Sequence, residues 1–181
     1  MTPARYTRTA VALHWIIAVA LVGLFSVGIY MHDLPLSPWK LKVYSWHKWA
    51  GVSILLLVLV RLAWRLGHRP PALPDTMPRW QQVAAHGLHH VLYLLMVAIP
   101  ISGWLMSSAK GFQTVWFGVL PIPDLLGKDE ALGDALKAVH LSLNITLATL
   151  VLAHIGAAIK HHLVDRDDIL SRMLPFLAKS R

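Results

Sequence analysis

The stretch KAVHLSLNITLATLVLAHIGAAIKHH, residues 137–162, decides the fold, because it is apolar enough to cross a membrane and still carries histidines in its interior. His140 and His154 lie fourteen residues apart. That is nearly four helical turns, so the two residues share one helix face and stand roughly 21 Å apart along its axis. Imidazoles inside a membrane are costly to bury and are usually functional. The stretch therefore predicts a partner for each histidine at the same depth.

The composition indicates a single membrane domain covering residues 1–181. Hydrophobic residues make up 56% of the chain and charged residues only 14%, which is too little charge for the surface of a soluble protein of this length. The net charge of +8 is typical of proteins that bind either nucleic acid or an anionic membrane face, and the placement of the charges favours the membrane over nucleic acid. The chain has no cysteine, which excludes disulfides, thiolate metal sites, iron–sulfur clusters and covalently attached c-type haem.

Four apolar segments predict four transmembrane helices, since each is long enough to cross the hydrocarbon core of a bilayer. They cover approximately residues 10–31, 47–66, 86–107 and 139–160. A further apolar stretch, GFQTVWFGVLPIPDLLG (111–127), is short and broken by glycine and proline. These breaks favour an interfacial or re-entrant loop over a fifth span.

The distribution of Lys and Arg predicts the orientation. Eleven of these residues lie at the N-terminus, in the second connection with its helix end, and in the tail, which includes Lys179 and Arg181. Six lie on the other side. The positive-inside rule therefore predicts that both termini are cytoplasmic and that the loops 32–46 and 108–138 face outward.

Depth sorts the interior histidines into two pairs. His14 opens the first span from the cytoplasmic side, at the level of His154, and His47 opens the second span from outside, at the level of His140. Histidines can also serve as polar contacts that join helices, but two depth-matched pairs that share one helix are poorly explained in that way. Zinc is a weak competitor, because two histidines without a carboxylate or thiolate make a poor zinc site.

Haem fits the two pairs better than zinc does, since it requires only two axial imidazoles and a slot between helices. An iron with two histidine ligands has no open position, which favours electron transfer over oxygen binding. The predicted fold class is therefore an all-α, integral membrane four-helix bundle that binds two b-type haems in its core. Glycines near the two levels could leave room for a macrocycle; they are Gly28, Gly51, Gly103 and Gly156.

Further polar residues lie near the cytoplasmic histidine level. His86, His89 and His90 open the third span near the depth of His14 and His154 and compete as ligands for that haem. His86 and His89 share a face and could instead contact a haem propionate or a quinone carbonyl. Arg61 and Arg65 lie at the same level, where the alternatives are propionate pairing and snorkelling to the interface. His161 follows His154 by two turns on the same face and is a candidate hydrogen-bond donor to a quinone.

Several stretches of the chain resemble the bacterial cytochrome b561 family of di-haem inner-membrane proteins. They are ALHWIIAVALVGL, SWHKWAGVSILLLVLVRLAWR, GLHHVLYLLMVAIPISGWLMS, AVHLSLNITLATLVLAHIGAAIKHH and DRDDILSRM. The resemblance implies that His14 and His154 ligate the cytoplasmic haem and that His47 and His140 ligate the periplasmic one, which is the pairing that depth predicts. It also implies a multi-pass protein of the bacterial inner membrane.

The resemblance also implies an activity, because some members of the family are similar to a superoxide oxidase. Such an oxidoreductase takes electrons from periplasmic superoxide and passes them to ubiquinone. Three lysines near His47 could steer this small anion to the outer mouth; they are Lys40, Lys42 and Lys48. A tryptophan-rich interface belt whose lysines meet headgroups explains the same residues and is compatible with steering.

Two other functions remain open at this stage. The chain could be a quinol-linked cytochrome b subunit that exchanges electrons with a periplasmic redox protein. In that case its outer loop 108–138 would dock the partner through an acidic cluster formed by Asp124, Asp129, Glu130 and Asp134. The chain could also be a membrane scaffold or transporter without redox function.

Overall fold

A computed structural model describes residues 5–177, and its main feature is a set of four long helices that run alternately up and down. They are α1 (Arg8–Asp33), α2 (Pro38–Gly67), α3 (Arg79–Ala109) and α4 (Glu130–Lys160). All four are long and apolar enough to cross a membrane, which confirms the predicted all-α membrane bundle. Lys179 and Arg181, which contribute to the predicted orientation, lie outside the described residues.

The helices extend beyond the predicted spans, because capped polar turns continue them past the apolar segments. Ser37 accepts a hydrogen bond from the backbone of Lys40 at the start of α2, and Asp129 accepts one from the backbone of Leu132 at the start of α4. Such caps satisfy backbone donors that a helix leaves free at its start. A helix of 31 residues is roughly 46 Å long, more than the ~30 Å of hydrocarbon that it has to cross. As a result, His47 lies inside its helix and does not open it.

The bundle has two ends, which we name by their histidines. The inner end holds His14 and His154, and the outer end holds His47 and His140. Between the two ends the interior is apolar. One cluster joins α1 to α2 and another joins α3 to α4; their buried members are Ile17, Ile54 and Val58 in the first, and Leu92, Leu95, Ile99 and Leu147 in the second.

Helix packing leaves α4 closest to α3. Backbone packing is most extensive between α3 and α4 and between α1 and α2, and α2 joins the two pairs through α3. The backbones of α1 and α2 approach α4 much less closely. The histidines of α4 therefore face their predicted partners across the least tightly packed side of the bundle.

The stretch 111–127 forms a small hairpin and not a fifth helix. Strands β1 (Val115–Trp116) and β2 (Leu120–Pro121) pair antiparallel. The hairpin is fastened to α2, because Trp49 Nε1 donates to the carbonyl of Val115 at 2.6 Å and Trp116 Nε1 donates to the carbonyl of Trp49 at 3.2 Å. This segment therefore folds back over the outer half of α2.

The chain after α4 folds back across the inner end. One turn of π-helix (His161–Asp165) leads into the short helix α5 (Ile169–Met173) and a 3₁₀ turn (Pro175–Leu177). Trp15 Nε1 donates to the carbonyl of Met173 at 2.8 Å, which ties this segment to the residue next to His14. The C-terminal segment therefore covers part of the inner histidine level.

Candidate functional site

Three imidazoles meet at the inner end. The ring centroids of His14 and His154 are 6.3 Å apart, and those of His89 and His154 are 5.2 Å apart. Since a metal lies about 2 Å from an imidazole nitrogen, either pair is close enough to share one metal ion. The structure therefore brings together His14 and His154 as the sequence predicts, and it adds His89 as a close neighbour of the same ring. The assignment of His14 and His154 as ligands remains a prediction.

Two arginines place positive charge beside these imidazoles. Arg61 Nε donates to the hydroxyl of Tyr93 at 2.8 Å, and the guanidinium carbons of Arg61 and Arg65 each lie 5.7 Å from the Tyr93 ring. Within residues 5–177, neither arginine has a carboxylate at salt-bridge distance. Burial raises the pKa of nearby Tyr6, although the Arg65 guanidinium opposes the shift. The inner end thus carries a cationic group that could pair with an anion such as a propionate.

Glycines of neighbouring helices receive the two outer histidines. A Cβ atom at Gly28 of α1 would lie 3.4 Å from Cε1 of His47, and one at Gly103 of α3 would lie 3.1 Å from Cε1 of His140. The imidazole ring of His140 therefore occupies the space that a side chain at position 103 would need. The other two predicted glycines, Gly51 and Gly156, adjoin open space.

The outer histidines differ in their hydrogen bonding. His140 Nδ1 lies 3.1 Å from the carbonyl oxygen of Ile99 and 2.9 Å from Oγ of Ser102. His47 Nδ1 is buried and has no hydrogen-bond partner within the described chain. A buried polar nitrogen without a partner is unfavourable unless a ligand completes the site.

These donor sets fit b-type haem. Each level offers imidazole ligands, and the four predicted spans contain no Asp or Glu that would make a mixed metal site. Two histidines and an apolar slot between helices are what an iron porphyrin requires from the protein.

The three outer lysines are held in different ways. Lys48 Nζ donates to Ser107 Oγ and to the carbonyl of Phe112, each at 3.1 Å, and so joins α2 to the hairpin segment. Lys40 Nζ donates to the carbonyl of Leu34 at 2.5 Å. Lys42 is exposed, with its amino group 5.2 Å from the Trp46 ring centroid. All three lie at the outer end, as predicted, and their proposed role in steering stays a prediction.

Of the two remaining predicted residues, His161 joins a polar cluster and His86 does not. His161 Nδ1 lies 2.7 Å from a carboxylate oxygen of Asp167 and 3.0 Å from one of Asp165. The same three residues line a cavity of about 290 Å³ together with Gln81. His86 is exposed, and its Nδ1 lies 2.7 Å from the carbonyl oxygen of Gln82 in its own helix.

Sequence reasoning missed two groups of polar residues. Ser102 and Tyr93 each contact a residue of the site through its side chain, and both stand as isolated polar residues within an apolar span. The carboxylates of Asp165 and Asp167 were also missed, although the run DRDD directly after His161 and His162 was a visible signal.

Comparisons with known proteins cover the whole bundle. The family model described as "Prokaryotic cytochrome b561" matches residues 5–176. "Cytochrome b561 homolog 2" of Escherichia coli (strain K12) is 37% identical over 175 residues, covering 96% of this chain and 93% of that protein. "Probable superoxide oxidase CybB" of Yersinia pestis is 30% identical over 174 residues, covering 94% of this chain and 96% of that protein.

Proposed function

The chain belongs to the prokaryotic cytochrome b561 family, and on that premise we propose that it carries electrons across the bacterial inner membrane from periplasmic superoxide to ubiquinone. Membrane electron transfer and b-type haem come with the family. Superoxide as donor is supported by the relative from Yersinia pestis, whose name includes that activity. The more similar relative from Escherichia coli is named only as a cytochrome b561 homolog.

The observation that carries the proposal is that α4 supplies a histidine at each end of the bundle. His154 meets His14 and His140 is predicted to pair with His47, with apolar clusters between the two levels. The histidines of each level would hold a b-type haem, which would supply a one-electron redox centre when bound. The helices hold and orient these imidazoles.

At the inner end, the arginines offer positive charge to the acidic edge of the cofactor. Arg61 is oriented by its hydrogen bond to Tyr93, and its charge is not neutralised by a carboxylate of residues 5–177. A guanidinium held in this way binds a propionate through charge-assisted hydrogen bonds. His89 lies beside His154 and could contact the same propionate.

At the outer end, lysines provide a positive field for an incoming anion. Lys40 and Lys48 donate to carbonyl and hydroxyl oxygens, which orient the ammonium groups without neutralising their charge. Lys42 is exposed to the approaching substrate. A mouth lined by one sign of charge raises the rate of association with a small anion and loses this effect at high ionic strength.

For ubiquinone, the cavity beside His161 is the proposed contact. Its volume of about 290 Å³ approaches the size of a small-ligand pocket. Two carboxylate oxygens lie within hydrogen-bonding distance of its Nδ1 and fix the orientation of the ring. Gln81 lines the same cavity, and its side-chain amide is a second hydrogen-bonding group.

The alternative function, a quinol-linked subunit that docks a redox protein, is less well supported by the outer loop. The acidic residues expected to meet the partner are used within the chain. Asp124 accepts a hydrogen bond from Ser108 Oγ, and Glu130 and Asp134 pair with Lys110 at 2.9 and 2.8 Å. Asp129 caps α4. Their contacts explain their presence without a partner.

Superoxide consumption by the purified protein in the presence of a soluble quinone tests the proposed function. His47→Ala should abolish consumption, because the outer redox centre loses a ligand. Lys42→Ala should weaken it and reduce its dependence on ionic strength. Unchanged consumption in His47→Ala would overturn the proposed route. Absence of a reduced b-type absorbance band in the wild-type protein would favour a scaffold or transporter.

A further inference from the structure

We propose that Ser102 is a positioning residue that fixes the ring of His140 and thereby sets the redox potential of the outer centre. The inference rests on the proposed ligation of haem by His140. It concerns residues of α3, a helix that supplies neither of the two outer ligands. Ser102 is one of the few buried polar residues of the bundle, with 6% of its surface exposed.

The hydrogen bonds around Ser102 leave one consistent arrangement of protons. Its Oγ lies 2.7 Å from the carbonyl oxygen of Ile99 and 2.9 Å from Nδ1 of His140. A serine hydroxyl has a single proton, and a carbonyl can only accept. The hydroxyl therefore donates to Ile99, and its oxygen accepts from Nδ1–H of His140.

The carbonyl of Ile99 supports the same tautomer. It lies 3.1 Å from His140 Nδ1, and it can act only as an acceptor toward that nitrogen. Both neighbours thus require the proton on Nδ1, which leaves the lone pair of Nε2 free for iron. The tautomer and the ring orientation are both set by α3 before any cofactor binds.

Gly103 completes this cradle on the next residue of α3. A Cβ there would lie 3.3 Å from Nδ1 of His140, so a larger residue would push the ring away from its acceptors. One turn of α3 thus supplies an acceptor carbonyl at Ile99, an acceptor hydroxyl at Ser102 and open space at Gly103. The sequence IPISG at residues 99–103 provides this combination.

The two outer histidines are unequal as a result. His140 donates from Nδ1 to two acceptors, whereas Nδ1 of His47 is buried without a partner within residues 5–177. Donation from the second nitrogen makes an imidazole a more basic ligand and favours the more oxidised state of the metal that it binds. Ser102 therefore lowers the potential of the outer centre through His140.

Redox titration of the purified full-length protein, with the haem-to-protein ratio measured in parallel, tests the proposal. Ser102→Ala should keep two haems, raise one of the two midpoint potentials and leave the other unchanged. The low-spin ferric resonance of the affected centre should shift as well. Ser102→Thr retains a hydroxyl and should restore the wild-type potential.

Ser26→Ala is the matched control. Ser26 is an exposed serine of α1 whose hydroxyl donates to the carbonyl of Val22 at 2.9 Å. The substitution removes the same kind of bond from another membrane helix, at a serine whose hydroxyl bonds to a carbonyl of its own helix, and both potentials should stay unchanged.

Other outcomes separate this proposal from the proposed function. Unchanged potentials and resonances in Ser102→Ala would overturn the positioning role. If Ser102→Ala loses the outer haem and Ser102→Thr retains it, the hydroxyl is required and the positioning role stands. Loss of the outer haem in both variants would show that side-chain size matters and would contradict the positioning role. Retention of both haems in His140→Ala would instead refute the proposed ligation itself.

Discussion

Replacing Gly103 with Ala tests how tightly α3 encloses the outer histidine. The new Cβ would lie 3.1 Å from Cε1 and 3.3 Å from Nδ1 of His140. The ring could move away from this Cβ only by weakening the hydrogen bonds of its Nδ1 to Ser102 and to the carbonyl of Ile99. Overpacking of this kind costs about 1–3 kcal/mol, which corresponds to a roughly 5- to 150-fold change in an equilibrium constant.

Two other glycines provide a graded comparison. Gly23→Ala is the matched control, since nothing lies within 4 Å of the new Cβ. A gain in helix propensity of up to about 1 kcal/mol is common to all of these substitutions and cancels when they are compared. Gly28→Ala should have an intermediate effect, because its Cβ would lie at the ordinary contact distance of 3.4 Å from His47 Cε1.

The assay is retention of haem by the purified variants during heating or dilution, followed through the reduced b-type band. We expect Gly103→Ala to lose the outer haem first, at a lower temperature than Gly23→Ala, while the inner haem is retained. If Gly103→Ala and Gly23→Ala retain haem equally well, the cradle is looser than these distances indicate and the reasoning is refuted.

Three further predictions concern other parts of the site. His154→Ala should lose the inner haem and His140→Ala the outer one, whereas His89→Ala should retain both, as measured by the haem-to-protein ratio. Loss of a haem from His89→Ala would instead assign an inner ligand to α3. Arg61→Gln should lower the potential of the inner haem, because removing a positive charge favours the oxidised state; an unchanged potential in a redox titration would contradict the proposed pairing. Lys48→Met should make the 111–127 hairpin more sensitive to protease while Lys42→Met does not, since Lys48 alone of the two bonds to that segment.

The apolar segments predicted the four-helix bundle, which the structure confirms, and the histidine spacing predicted two levels within it. On an α-helix, a fourteen-residue interval places two side chains on the same face at a known axial distance, because the rise and the angle per residue are fixed. The depth of His14 and His47 follows from the same geometry once the spans are known. These predictions depend only on local structure, which is why the sequence contains them.

The parts that sequence reasoning missed depend on contacts between distant segments. Ser102 meets His140 across 38 positions of the chain, and Lys48 meets Phe112 across 64. No local pattern encodes which of several serines or lysines will find such a partner. The depth of His89 was predicted from the sequence, but which of the three third-span histidines approaches His154 depends on how α3 packs against α4.

The arginines of the inner level and the hydrogen bonds of the outer level favour one direction of electron flow, which the positive charge of the outer lysines opposes in part. At the inner end, Arg61 and Arg65 lie beside the imidazoles without carboxylate partners in the described chain, and nearby positive charge stabilises a reduced centre. At the outer end, the bonds from His140 to Ser102 and Ile99 stabilise an oxidised centre. We therefore expect the outer haem to have the lower midpoint potential, so that electrons move downhill from superoxide to the quinone. A redox titration that assigns the higher potential to the haem lost in His140→Ala would contradict this order and would favour a quinol-linked subunit that delivers electrons outward.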